Sequence, residues 1–300
     1  MSPIVLALGA SLFYGGADFW AAGLTRRTSP VAVTTWSQLS SGVVLMVLLL
    51  GGGQPFDAGA LCWGAVAGAA GGLGLLLYYR ALAAGPASVV APLAAAGTAI
   101  PVMVGLVRGD PTSALALLGL PLIVVGITVV AFDGGDDRVS PPWGAPLRGP
   151  RDDEPRRDDT PPRAVPLALV AAGLLGVFFV LLDEGGAGQG ELSVTLGVQV
   201  GGLALNAAYL VATRQSAAEL AVPGRLLVAL VLLGGLNLGG DASLTFALGA
   251  GALGVVSVLT SLSPVLTAVL AWVVLRERAP RIQLVGVGVA FLGVLLVASG

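Results

Sequence analysis

Residues 78–110 read YYRALAAGPASVVAPLAAAGTAIPVMVGLVRGD, and a stretch of the same design returns at residues 244–277, LTFALGAGALGVVSVLTSLSPVLTAVLAWVVLRE. Each copy is the end of one apolar helix, a tight glycine turn, a second long apolar helix and a short charged turn. Setting Ala81-Leu82 on Ala247-Leu248 brings Val89-Val90 onto Val255-Val256. After a one-residue gap, Asp110 falls on Glu277, Gly119 on Gly286 and Gly126 on Gly293. The beginnings agree as well: Leu6-Ala7-Leu8 on Leu167-Ala168-Leu169, Gly15 on Gly176 and Gln38 on Gln199. A duplicated apolar unit is the usual sequence sign of a membrane transporter.

Composition agrees with the repeat. Of 300 residues 56% are hydrophobic and 11% charged, against about 25% charged in soluble domains. Apolar runs of about 18 residues or more, enough to cross a hydrocarbon core, recur along the chain. They fall at 4–24, 31–50, 60–83, 87–107 and 113–132, then at 164–182, 192–213, 226–248, 252–275 and 282–298. The expected fold is therefore an all-α polytopic membrane protein of ten transmembrane helices in two five-helix repeats. Five is odd, so the second repeat enters from the opposite side and the repeats are inverted, with a site near the midplane between them. The first repeat covers 4–132 and the second 164–298. Between them, 133–163 holds six Arg, eight acidic residues and many prolines. It cannot bury enough apolar surface to order itself and reads as a flexible linker. The N-terminus lacks a basic leader and its first apolar run belongs to the repeat, so that run reads as a retained helix.

Several chemistries are excluded. There is no His and one Cys, so His relays, internal disulfides and Cys-rich metal sites are absent. No Walker motif is present. Gly249-Ala-Gly251-Ala-Leu-Gly254 matches a dinucleotide fingerprint on paper, but a transmembrane helix precedes it, not a strand, and it reads as a turn. No cofactor, no metal and no nucleic-acid partner are expected, and the chain does not read as an enzyme.

Ten helices in two repeats, Ala-Leu before a small-residue turn, and Ser-Leu-Ser-Pro (261–264) before a helix ending in Leu-Arg-Glu-Arg (275–278) resemble the EamA-type transporters of the drug/metabolite superfamily. The resemblance covers about 4–132 and 164–298. The first copy departs from the pattern: Gly97 stands near the place of Pro264, Pro101 follows a turn later, and Asp110 replaces Glu in the closing turn. The resemblance implies export or exchange of small metabolites at the cell membrane, and it supplies no substrate.

Candidate site residues are polar groups inside apolar spans, where an unpaired charge is costly. Asp18 and Asp241 are expected to line a central cavity and bind a cationic group or a proton, with Arg80 as counter-charge. The alternative is that Arg80 and Asp18 reach water at a helix end. Gln38, Gln199 and Asn237 either contact the substrate or bond helix to helix. Tyr14, Trp20, Tyr79 and Phe178 suit an aromatic wall for an amphipathic amine or amino acid, or in part a headgroup belt. Pro92, Pro101 and Pro264 interrupt helices and are hinge candidates. Arg108, Asp110, Arg276, Glu277 and Arg278 read as links at helix ends. Glycines at four-residue spacing (Gly64, Gly68 and Gly72; Gly197 and Gly201; Gly235 and Gly239) mark close helix packing or a dimer contact.

Orientation is contested within the sequence. Fourteen Arg fall on the side of the first intra-repeat loop and the linker, against Arg108 alone on the other. Positive-inside reasoning then puts both termini outside, whereas the family resemblance implies both inside; the charge count belongs to this chain and is preferred. The reading is a secondary exporter of a small organic solute, with possible proton coupling and a possible homodimer. The alternatives are an uncoupled facilitator or exchanger, a lipid scramblase or membrane enzyme, and a non-transporting scaffold.

Overall fold

The computed structural model describes residues 2–24, 27–52, 56–84, 93–94, 96–131, 164–186, 190–214, 220–274 and 281–299. The linker 133–163, Pro92 and the Arg276, Glu277, Arg278 turn lie outside the described residues. Among the described residues every regular element is helical: α1 (Pro3–Leu24), α2 (Pro30–Gly51), α3 (Ala58–Ala84), a 3-10 turn (Ala96–Thr98), α4 (Ala99–Arg108), α5 (Ala114–Ala131), α6 (Ala164–Gly186), α7 (Glu191–Thr213), α8 (Gly224–Leu248), α9 (Leu253–Thr260), α10 (Ser263–Val274) and α11 (Arg281–Ser299). Among the described residues eight spans are long and apolar enough to cross a membrane, and Ala96–Arg108 and Ala114–Val130 are shorter apolar helices. Helices are what apolar sequence must form in lipid, where backbone groups have no water to bond. Large apolar side chains such as Val47, Leu118, Val211 and Phe291 are left exposed for that solvent.

Local chemistry sets the ends. Ser29 caps α2 by accepting from the Ala32 N–H, and Pro30 opens it, where the missing N–H costs nothing. Gly109, at φ 80°, stops α4 and turns its N–H onto the Gly105 and Leu106 carbonyls. The expected single helix over 252–275 is two, α9 and α10, parted at Ser261-Leu262. The cause is Pro264, which has no N–H to offer the Thr260 carbonyl. Pro101 lies in the first turn of α4, directly behind the 3-10 turn Ala96–Thr98, a position where proline is tolerated. Pro121, absent from the hinge candidates, lies inside α5. Asp183 and Glu184, beyond the expected end of the span 164–182, belong to α6, which runs on to Gly186.

α5 packs along α11, α3 lies against both α6 and α7, α1 against α8 and α10, and α2 against α7 and α8. Glycine sets the closest approaches. A Cβ on Gly64 would meet the Val194 carbonyl and lie 3.0 Å from the Gly197 Cα, and one on Gly197 would lie 2.9 Å from the Gly64 Cα. Between α5 and α11, a Cβ on Gly119 would lie 2.6 Å from the Gly293 carbonyl oxygen, and one on Gly286 would lie 3.0 Å from that of Gly126. Early residues of one helix meet late residues of the other, so the two run antiparallel. α2 and α7 do the same: Gly42 faces Gln199, while Gln38 faces Gly202 and Asn206. The turn at Gly249–Gly251 leads from α8 into α9, as the sequence implied for the glycine-rich stretch.

Candidate functional site

Asp241, on α8, is the centre of a polar cluster built from three helices. Its Oδ1 accepts from the Tyr14 hydroxyl of α1 at 2.6 Å, and its Oδ2 accepts from the Gln199 side-chain amide of α7 at 2.6 Å. Thr245 donates to the Asp241 backbone carbonyl at 2.8 Å, and Thr195 donates to Thr245 at 3.1 Å. Two bonds to one carboxylate are the kind of pairing that makes a charge tolerable among apolar helices. Gly240 makes room for it, since a Cβ there would lie 2.7 Å from the Tyr14 ring. Tyr14 lies eleven residues beyond the start of α1, and Asp241 seven before the end of α8. At about 1.5 Å per residue, both lie roughly 10–17 Å inside the same face, close to mid-membrane.

Asp18 follows Tyr14 by one turn of α1 and so shares its face; it is exposed, while Ala17 beside it is buried. Gln38 and Asn237 do different work from Gln199. Asn206 donates to the Gln38 side chain at 3.1 Å and Asn237 to the Ser37 hydroxyl at 2.8 Å, tying α2 to α7 and α8. Arg80 is exposed near the end of α3, and both carboxylate bonds of Asp241 go elsewhere. Phe178 stacks edge-on with Phe179, centroids 5.4 Å apart, and faces Gly71 of α3. The Tyr79 side chain lies outside the described residues. Trp20 lines a separate cleft with Leu24, Arg27, Pro223, Arg225, Leu226 and Ala229. Among the described residues no three acidic or Cys side chains stand close enough to hold a metal ion.

Thr195 and Thr245 were not legible as members of the cluster. Their hydroxyls also bond carbonyls one turn back, Thr195 to Glu191 at 2.6 Å, which any threonine in an apolar helix does.

Links between helix ends gather on the face that carries the start of α1. Arg108 pairs with Asp183 at 2.9 Å and also with Glu184. Asp110 Oδ2 accepts from the Leu253 N–H at 2.9 Å, capping α9, and the Asp57 N–H donates to Ser193 at 3.1 Å. Asp110→Ala is expected to cost about 1 kcal/mol, the usual worth of a helix cap; thermal unfolding in detergent reads it.

The EamA-like transporter family matches residues 1–132 and 160–299. The chain belongs to that family. It is thus a multi-pass membrane transporter of the drug/metabolite superfamily, and the resemblance drawn from Ser261–Pro264 and the closing turn holds. No curated protein matches the transporter in sequence. A solved crystal structure superposes with a TM-score of 0.71 at 16% identity, over 99% of this chain and 97% of that one. At that identity the likeness is one of fold.

Proposed function

We propose that this transporter is a secondary exporter of a small organic solute in the cell membrane, working by alternating access between two inverted five-helix repeats, with Asp241 as the coupling carboxylate. The observation that carries the reading is the Tyr14–Asp241–Gln199 cluster. It is the one described carboxylate bonded by side chains from two other helices near mid-membrane, and α1 comes from the first half of the chain while α7 and α8 come from the second. A site between repeats is where such folds bind solute and coupling ion. Antiparallel packing of α5 with α11 and of α2 with α7 supports inversion, because the sequence match makes each pair equivalent. Parallel repeats would set equivalent helices parallel.

The two faces differ. Arg108, Asp110 and Asp57 link helix ends at the face of the termini, while Asp18 is exposed between the cluster and the opposite, arginine-rich end of α1. On the positive-inside count that end is cytoplasmic, so this is an inward-accessible arrangement. A cationic solute arriving from the cytoplasm meets Asp18, then Asp241, and displaces a proton there; closure around it requires the Arg108 links to part on the other side.

Everted vesicles holding an imposed pH gradient test the proposal. Amino acids, amines, purines and lipophilic cations are added in turn. Collapse of the gradient with one class is expected and names the substrate class. No collapse with any class, in vesicles shown to hold folded protein, overturns proton antiport in favour of an uncoupled exchanger, which counterflow then measures.

A further inference from the structure

The cleft at the arginine-rich ends of α1 and α8 lies outside the Asp241 cluster, and its composition is specific. Trp20, Leu24, Leu226 and Ala229 give it apolar walls, and Arg27 and Arg225 supply two guanidinium groups. Among the described residues no acidic side chain lines it. The Arg27 N–H donates to the Leu24 carbonyl at 2.8 Å, which turns the chain back over the end of α1 and holds Arg27 beside the cleft. Arg225 stands in the first turn of α8, where no acid is present. A cation there opposes the helix dipole, a cost that an anion in the cleft offsets. Depth also matters. α1 ends at Leu24 and α8 begins at Gly224, so the cleft sits at the level of headgroups, with Trp20 one turn inside, as interfacial Trp commonly is.

We propose that this cleft binds an anionic phospholipid, its phosphate between Arg27 and Arg225 and its glycerol and first methylenes against Trp20, Leu24, Leu226 and Ala229. Two features favour a lipid over a soluble anion: five of the seven lining residues are apolar, and the helices on both sides are membrane spans. Basic pockets between transmembrane helices recognise lipid headgroups in this way. The lipid ties α1 to α8, one helix from each half of the chain. The inference is independent of the substrate and of proton coupling.

The test uses the full-length protein in neutral detergent, titrated with phosphatidylglycerol brominated near the top of its acyl chains. The signal is the tryptophan quenching that disappears in Trp20→Phe. Saturable Trp20 quenching is expected with brominated phosphatidylglycerol and much less with brominated phosphatidylcholine. Each arginine replaced by glutamine is expected to weaken binding about fivefold, and Arg27→Gln with Arg225→Gln about thirtyfold, from the usual worth of a basic side chain at an anionic surface. Arg27→Lys with Arg225→Lys is expected to keep most of the binding, which separates charge from loss of fold. Equal quenching by the two lipids, or quenching untouched in the double glutamine variant, overturns the proposal. Displacement of the lipid by millimolar inorganic phosphate also overturns it, assigning the cleft to a soluble anion.

Discussion

Asp241→Asn is expected to reduce solute-dependent collapse of a pH gradient to the level of vesicles without the protein. An amide carries no net charge and takes up no proton in this range. It also presents an NH2 where the carboxylate presented a second acceptor. Tyr14 and Gln199 both donate to Asp241, so one of them then faces a donor. Tyr14→Phe is the milder partner experiment: it keeps the carboxylate and removes one charge-assisted bond already made in this arrangement, worth about 1.5–3 kcal/mol, so a smaller loss of coupling than in Asp241→Asn is expected. Full gradient collapse in folded Asp241→Asn protein would remove the carboxylate from the mechanism. Counterflow retained in the same variant, with gradient coupling lost, would show that Asp241 carries the proton and leaves the solute to other groups.

Gly64→Val is expected to be among the most destabilising single substitutions outside the cluster, by about 1–3 kcal/mol or more. The first side-chain carbon already meets the Val194 carbonyl and the Gly197 Cα. These are backbone atoms of α7, so relief requires the two helices to separate, and small residues are what allow such packing in a bilayer. Gly197→Ala probes the same contact from the other side, 2.8 Å from the Ala65 nitrogen. Once the helices have parted the second substitution adds little, so the pair should be strongly non-additive. Gly16→Ala is the control: nothing lies within 4 Å of a Cβ there, and the better helix former should be neutral or gain up to about 1 kcal/mol. Unfolding temperatures in one detergent compare all of these; equal effects at Gly64 and Gly16 would sink the packing account.

Much of this was legible in the chain because lipid permits few solutions. Apolar runs had to be helices, and Pro264 had to break one. The individual cluster members could also be named, since Tyr14, Gln199 and Asp241 are polar groups in apolar spans. Their pairing could not be read, because no periodicity within α1 refers to a position on α8. Gln38 and Gln199 show the limit most clearly. They match in the repeat, yet only Gln199 bonds a carboxylate. The alignment that sets Ala81 on Ala247 puts Leu75 opposite Asp241, and the one that sets Gln38 on Gln199 puts Leu175 opposite Tyr14. Gln38 therefore has no acid to meet and bonds Asn206. Asp183 and Glu184 misled for another reason: acid beside glycine reads as loop, and only Arg108 at the end of α4 shows why the charges are held on a helix.

Seen as an assembly, the α5–α11 contact is isologous: on the repeat reading, the patch around Gly119 and Gly126 meets its own image in Gly293 and Gly286. In a homodimer of identical halves, symmetry would copy every residue, and a carboxylate at one site would come with a second beside it. Fusing the halves into one chain removes that obligation. One copy can then keep an acid and the other a leucine, and a symmetric scaffold holds a single charge at its centre.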